Sequence, residues 1–253
     1  MNRDRPRADR LLVERGFYES RARAQAAIAA GLVTADGRAV ARASDALAPD
    51  AVIEARQPHP FVSRGGLKLA AALDAFALDP RGRICLDVGA STGGFTDALL
   101  RRGAAHVYAV DVGRGQLHPS LRADPRVTSL EGTDARSLDR AAIPRPPGLA
   151  VIDVSFISLR LVLPALPPLL APGAPLAALI KPQFEAGRDR VGRGGLVRDA
   201  GIHAEVCEAV RACLEGLAFA VLGLVPSPVE GGDGNREFLI GATAPVEPGQ
   251  THG

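Results

Sequence analysis

Beyond residue 80, short apolar runs alternate with helical stretches, and this alternation restricts the possible folds more than any other feature of the chain. Residues 84–88, 107–112, 127–130, 149–154 and 176–180 read as strands. Helical segments fill the intervals at 66–76, 93–102, 159–170 and 201–217. Apolar strands with helices between them require a mostly parallel sheet covered on both faces. A last pair of strands, 220–225 and 237–242, flanks a Gly/Pro-rich segment at 226–235. The expectation is an α/β, Rossmann-like sheet of seven strands whose last strand runs antiparallel.

The first sixty residues follow another pattern. Two short helices are expected over 7–30, the first capped by Asp9, with Leu11, Leu12, Val13 and Phe17 on its apolar side and Gly16 at its end. Ser20 is the expected N-cap of the second, which Gly31 stops. Leu32, Val33 and Thr34, the turn Ala35-Asp36-Gly37-Arg38, and Val40 form a hairpin signal, and 51–55 is a further short strand. Gln57-Pro58-His59-Pro60 is rich in turn residues. The resulting division is a small α+β module at 1–58, a linker at 59–65, a larger domain at 66–245 and a disordered tail at 246–253.

Charge separates the parts only weakly. Residues 1–60 hold 10 Arg against 8 acidic residues, whereas the remainder holds 20 of each sign. A surplus of two is poor support for nucleic-acid binding by itself. The three cysteines, Cys85, Cys207 and Cys213, have no metal-ligand spacing and are expected to be buried thiols. No run approaches the ~20 apolar residues of a membrane helix, and residues 1–7 lack the apolar core of a signal peptide. A soluble cytoplasmic protein, without a metal and without membrane association, is expected.

The lysine count is more informative. Of 30 basic residues, 28 are Arg and only Lys68 and Lys181 are Lys. A guanidinium is effectively never deprotonated, whereas an amine can exchange a proton, so the two lysines are candidates for work that Arg cannot do.

Their positions support that. The first strand of the sheet runs into Asp87-Val88-Gly89-Ala90-Ser91-Thr92-Gly93-Gly94-Phe95, whose glycines allow a tight turn and close approach to a ligand at a helix start. The spacing is not that of the dinucleotide fingerprint, and seven strands with a hairpin at the end suggest a methyltransferase sheet rather than a dehydrogenase. Asp111 and Val112 end the second strand, where a carboxylate meets ribose hydroxyls, and Asp134 after the third is placed for an adenine amine. Asp153 lies near the end of the fourth strand, Lys181 follows the fifth, and Glu237 opens the last. Lys68 sits on the helix before the first strand. In such a sheet ligands bind at the carboxyl edge, so two amines and two carboxylates are expected to converge there.

That mixture suits removal of a proton from a poor hydroxyl nucleophile. An unperturbed Lys has a pKa of about 10.4, which a second ammonium and desolvation would lower and carboxylates would raise. The carboxylates are therefore expected to orient the amines, with Lys181 as base and Lys68 as its partner, or the reverse. The loop over 183–199 is rich in Gly and Arg. There Arg188, Arg190, Arg193 and Arg198 are candidate phosphate contacts.

With these residues identified, the chain resembles the haemolysin A-type (TlyA) family of rRNA 2′-O-methyltransferases over nearly its whole length. The segments that carry the resemblance are SRGGLKL, LDVGASTGGFTDALL, YAVDVGRGQL, VIDVSFISL, IKPQFEAGR, GRGGLVRD and GNREFLIG. Residues 7–55 look like the S-four-type RNA-binding module. The resemblance implies S-adenosylmethionine as cofactor, a catalytic set Lys68, Asp153, Lys181 and Glu237, and a cofactor contact from Phe156. It further implies a cytidine of ribosomal RNA as target and ribosomal subunits as partners. The sequence leaves the oligomeric state, monomer or weak dimer, open. Arg7, Arg10, Arg21, Arg23, Arg64, Arg188 and Arg193 are the candidate RNA contacts. Two departures stand out: Gly132 and Asp134 replace the Arg and Asn expected there, and Pro60-Phe61-Val62 lacks an expected Trp.

Three alternatives remain at the level of sequence. They are methylation of another structured RNA, a non-catalytic RNA-binding assembly factor, and a membrane-lytic protein. Nothing in the residues supports the last.

Overall fold

The computed structural model describes residues 5–18, 20–56, 59–231 and 233–246, and divides the chain into compact units at 1–60 and 61–253. Expectations on 247–253 and on Gln57 and Pro58 lie outside the described residues.

In the first unit, α1 (Ala8–Glu14) and α2 (Arg21–Ala29) precede a three-stranded sheet. Its strands are β1 (Val33–Ala35), β2 (Arg38–Ala39) and β3 (Ile53–Ala55), with β1 central and antiparallel to both neighbours. Leu12, Tyr18, Ile28 and Val33 form its core. Ser20 caps α2, accepting from the Arg23 amide at 3.3 Å. Asp9 does not cap α1; Arg7 occupies that position without a side-chain cap. Asp9 instead sits fully buried in the first turn, where Arg7 (3.0 Å), Arg21 (2.8 Å) and Gln25 (2.8 Å) donate to it. A carboxylate there also meets the favourable end of the helix dipole. The Arg7 bond, above all, holds the Asp9 carboxyl well below the usual carboxylate range.

The second unit runs α3 (Gly65–Ala75), β4 (Ile84–Val88), α4 (Gly94–Arg101), β5 (His106–Asp111), α5 (Pro119–Arg122), β6 (Val127–Glu131) and β7 (Leu149–Ile152). It continues through α6 (Leu159–Val162), β8 (Pro175–Ile180), α7 (Pro182–Glu185), α8 (Ala200–Gly216), β9 (Ala220–Pro226) and β10 (Phe238–Thr243). Seven strands form one sheet in the order β6-β5-β4-β7-β8-β10-β9. The first five are mutually parallel, and β10 is antiparallel to both neighbours.

The two-residue period of the strands builds both cores. Cys85, Val107, Val151 and Leu179 face Leu69, Leu73 and Leu99 of α3 and α4. Their neighbours Leu86, Tyr108, Ile152 and Ile180 face Leu159, Val206, Val210 and Leu214 of α6 and α8.

The single helix expected over 159–170 is broken. α6 ends at Val162 and only a 3-10 turn, Leu163–Ala165, follows. Pro164, Pro167 and Pro168 lack the amide hydrogens that a longer helix needs. Among the described residues no helix is long and apolar enough to cross a membrane.

Candidate active site

The order of the sheet reverses at β4. From there the chain steps outward through β5 and β6, then returns to the other side of β4 as β7. A crevice opens at the carboxyl ends of strands at such a point. It holds a cavity of roughly 440 Å³ lined by Gly89, Ser91, Asp111, Val112, Asp134, Asp153 and Phe156, among others.

The local backbone explains its shape. Gly89 has φ +86°, and a Cβ there would lie 2.4 Å from the Asp153 carbonyl oxygen. Only glycine permits β4 and β7 to end this close together. Asp111 accepts from the Ser91 amide at 2.8 Å and the Gly113 amide at 2.7 Å, tying the glycine loop to the end of β5. Asp134 is paired with Arg136 (2.6 Å), and that side-chain bond, first among its causes, lowers its pKa to about 2.

Phe156 adopts φ +65°, is 90% exposed, and has its ring 5.1 Å from that of Phe184. A non-glycine residue held in this region stores strain of about 1–3 kcal/mol, a cost concentrated at functional sites.

Five residues of the glycine loop do not line the cavity. Ala90 is buried, and its carbonyl accepts the Gly93 amide at 2.7 Å. Thr92 accepts from the His118 amide at 3.2 Å. Gly93, at φ +95°, is the N-cap of α4 beneath Leu117 and Leu121, and Gly94 lies under the Ser63 hydroxyl. Phe95 packs in the apolar core with Leu99. Asp87 is also withdrawn from the cavity wall. It is completely buried, accepts Thr96 Oγ1 at 2.6 Å, and is raised to about 7, chiefly by burial.

Next to the cavity the four expected polar groups come together. Lys181 Nζ lies 2.6 Å from Asp153 Oδ1, an ion pair off the hydrogen-bond axis, and donates to Ser155 Oγ at 2.8 Å. Lys68 and Glu237 form a second ion pair, with the residues only 7% and 3% exposed. β10 begins at Phe238, opposite Ile180, so the same register carries Glu237 to the level of Lys181. Burial raises the Glu237 carboxyl above its usual range. Lys68 and Lys181 oppose that rise, and Asp153 adds to it, so the four charges sense one another.

The seven candidate RNA-contact arginines are less uniform. Arg7 and Arg21 are committed to Asp9, and Arg10 to Glu14 at 2.6 Å. Arg23 lies in the first turn of α2. Arg64 is exposed just before α3, and Arg188 and Arg193 are exposed on the loop after α7.

The FtsJ-like methyltransferase family matches residues 61–244, and the S4 domain matches residues 6–53. The chain belongs to the FtsJ-like methyltransferase family. Among similar proteins, the 16S/23S rRNA (cytidine-2′-O)-methyltransferase TlyA of Mycobacterium tuberculosis is 47% identical, over 93% of this chain and 89% of its own. Hemolysin A of Brachyspira hyodysenteriae is 38% identical over 92% and 98%. A solved structure from Streptococcus thermophilus that carries a hemolysin name is 42% identical, with a TM-score of 0.75, over 98% of this chain and 92% of its own.

This FtsJ-like chain is thus an S-adenosylmethionine-dependent methyltransferase joined to an S4 RNA-binding domain. The cavity fits that donor. Asp111 offers a carboxylate acceptor in its wall, Asp134 and Asp153 being paired with Arg136 and Lys181, and Val88, Val110, Val154 and Ile157 supply an apolar surface for a nucleobase.

Sequence reasoning missed Gln116, Thr133, Ser155, Ile157 and Val162 in the FtsJ-like site. Ser155 had a usable signal, a hydroxyl two residues after Asp153. Gln116 lay in a segment of the resemblance without a role of its own; its amide donates to Glu131 at 2.7 Å and its Oε1 accepts from Ser91 Oγ at 3.2 Å.

Proposed function

We propose that the enzyme methylates a ribose 2′-hydroxyl of ribosomal RNA, on a cytidine. The observation that carries this reading is the pairing of the chain's two lysines with Glu237 and Asp153 beside the cofactor cavity. The names of its relatives support the substrate class.

S-adenosylmethionine supplies an electrophilic methyl group on a sulfonium. Gly89, Ser91, Asp111, Val112, Asp134 and Phe156 bind the donor from the wall of the cavity. Lys181 Nζ, oriented by Asp153 and Ser155, acts in its neutral form, after losing a proton to solvent, and takes the 2′-hydroxyl proton as the oxygen attacks the methyl carbon and the methyl–sulfur bond breaks. Lys68 Nζ, held by Glu237, stabilises the negative charge that develops on that oxygen. Both amines sit on rigid ends of secondary structure, so the nucleophile is met in a fixed geometry, an arrangement that can remove several kcal/mol of barrier. Arg64, Arg188 and Arg193 hold phosphates, and the S4 domain adds RNA affinity. The target must be locally unpaired to reach the edge.

The test is transfer of labelled methyl from S-adenosylmethionine to separate large and small ribosomal subunits, mapped by resistance to alkaline cleavage. A 2′-O-methylated cytidine made by the wild type and absent with Lys181→Ala is the expected result. No label on either subunit would overturn the substrate assignment.

A further inference from the structure

The Arg-bearing loop after α7 closes on itself. The Gly192 amide donates to the Leu196 carbonyl at 2.9 Å, and Gly194 and Gly195 turn the chain with φ +75° and +79°. Residues 187–196 thereby form a short tongue with Arg188 and Arg193 exposed on it.

Its foot is Val197, which is buried and pinned through both of its peptide groups. The Val197 carbonyl accepts from His203 Nε2 of α8 at 2.8 Å, so that ring nitrogen carries the proton. The Val197 amide donates to Asn235 Oδ1 at 2.8 Å.

Asn235 is 1% exposed and spans two structures. Its Nδ2 donates to the Gly195 carbonyl and to Asp233 Oδ2, each at 2.8 Å. Asp233 Oδ2 also accepts Gln183 Nε2 at 3.2 Å, two residues beyond Lys181. Glu237 follows Asn235 by two residues. A flipped amide would set donors against the Val197 amide and an acceptor against the Gly195 carbonyl, so the neighbours decide the orientation. The other side-chain tie on the tongue, Arg190 to Glu205 at 2.6 Å, joins partly and largely exposed groups, a kind of pair that holds weakly.

We propose that Asn235 is a positioning residue that latches the tongue to the catalytic edge, so that phosphates gripped by Arg188 and Arg193 are set in register with Lys181 and Glu237. What the tongue grips rests on the RNA reading above; the latch does not. The Asn235 side chain lies outside the cavity lining and bonds to Val197, Gly195 and Asp233 rather than to the Lys68–Glu237 or Lys181–Asp153 pair.

The experiment compares wild type with Asn235→Ala in the full chain. Trypsin cleavage after Arg188, Arg190 or Arg193 is expected to accelerate about tenfold, because local opening is no longer resisted by a buried amide. The KM for ribosomal RNA rises about tenfold, while kcat changes less than about threefold and S-adenosylmethionine affinity is retained. An unchanged cleavage rate in the folded variant overturns the latch. So does a parallel loss of cofactor affinity and kcat, which marks a general structural role. If Asn235→Ala fails to fold, Asn235→Asp carries the same test. It keeps the shape and the acceptor for Val197 but sets a carboxylate against the Gly195 carbonyl and Asp233. Absence of RNA methylation by the wild type would refute the RNA reading, and the cleavage comparison would still decide the latch.

Discussion

Lys181 and Lys68 are both held by carboxylates, but in different settings. Lys181 borders the cofactor cavity through Asp153 and Ser155, whereas Lys68 is enclosed with Glu237. Lys181→Arg keeps a positive charge near Asp153 but cannot take up a proton at neutral pH. Its kcat is expected to fall by about 10²-fold or more with cofactor affinity retained; near-normal turnover would remove Lys181 as the base.

Asp87 tests the electrostatics of the glycine loop from behind. Burial raises it to about 7 from an ordinary value of 3.8, so between those limits the native state binds more protons than the unfolded chain. Stability contributed by this group therefore falls as pH rises through that window, and below it both states are protonated. Asp87→Asn should remove this slope and gain on the wild type by about 2–4 kcal/mol between pH 4.5 and 8. Urea denaturation at the two pH values measures the difference, and an equal gap at both would show that Asp87 does not titrate there.

At the scale of elements, the ends of β4 and β7 are the tightest constraint on the site. Gly89→Ala adds a methyl group to a left-handed residue and drives it against the Asp153 backbone. Strain of about 1–3 kcal/mol is expected, together with displacement of the segment that carries Asp153. Thermal unfolding should shift downward, and calorimetry should show cofactor affinity reduced about tenfold or more. Wild-type affinity in this variant would mean that the closeness of the two strands is incidental.

The two units of the molecule each have an apolar core, centred on Leu12 and Val33 in the first and on Leu86 and Leu99 in the second. Removal of residues 1–58 should therefore leave cofactor binding intact. It should weaken RNA affinity and flatten its dependence on salt, because fewer phosphates are neutralised. Arg7, Arg10 and Arg21 are already paired with acids, so the fall in slope should be smaller than their number suggests. Loss of cofactor affinity in the truncated protein would show that the units work as one.

Much of the fold was legible because local rules and tertiary packing agree. The period of the apolar runs placed all seven strands of the large sheet to within about two residues, and Ser20 capped its helix as a hydroxyl at that position does. The scarcity of lysine pointed to the two amines, since no packing demand distinguishes Lys from Arg so sharply. Local rules misplaced Asp9, whose neighbours across the module outweigh capping, and the segment 159–170, where three prolines override an apolar pattern. Gln116, Glu185 and Asn235 lie within segments that carry the family resemblance, but their contacts could not be found from the chain alone. Glu185 accepts the Ser158 hydroxyl at 2.5 Å and the Leu159 amide at 2.6 Å, and Asn235 reaches Val197, each across more than twenty residues of sequence. Sequence determined which chemistry the chain carries and which strand ends present it, because residue type and period are local properties. The strand ends foretold that two lysines, Asp153 and Glu237 would converge, but tertiary structure alone decided how they pair, because a hydrogen bond between distant segments exists only once the sheet has set their spacing.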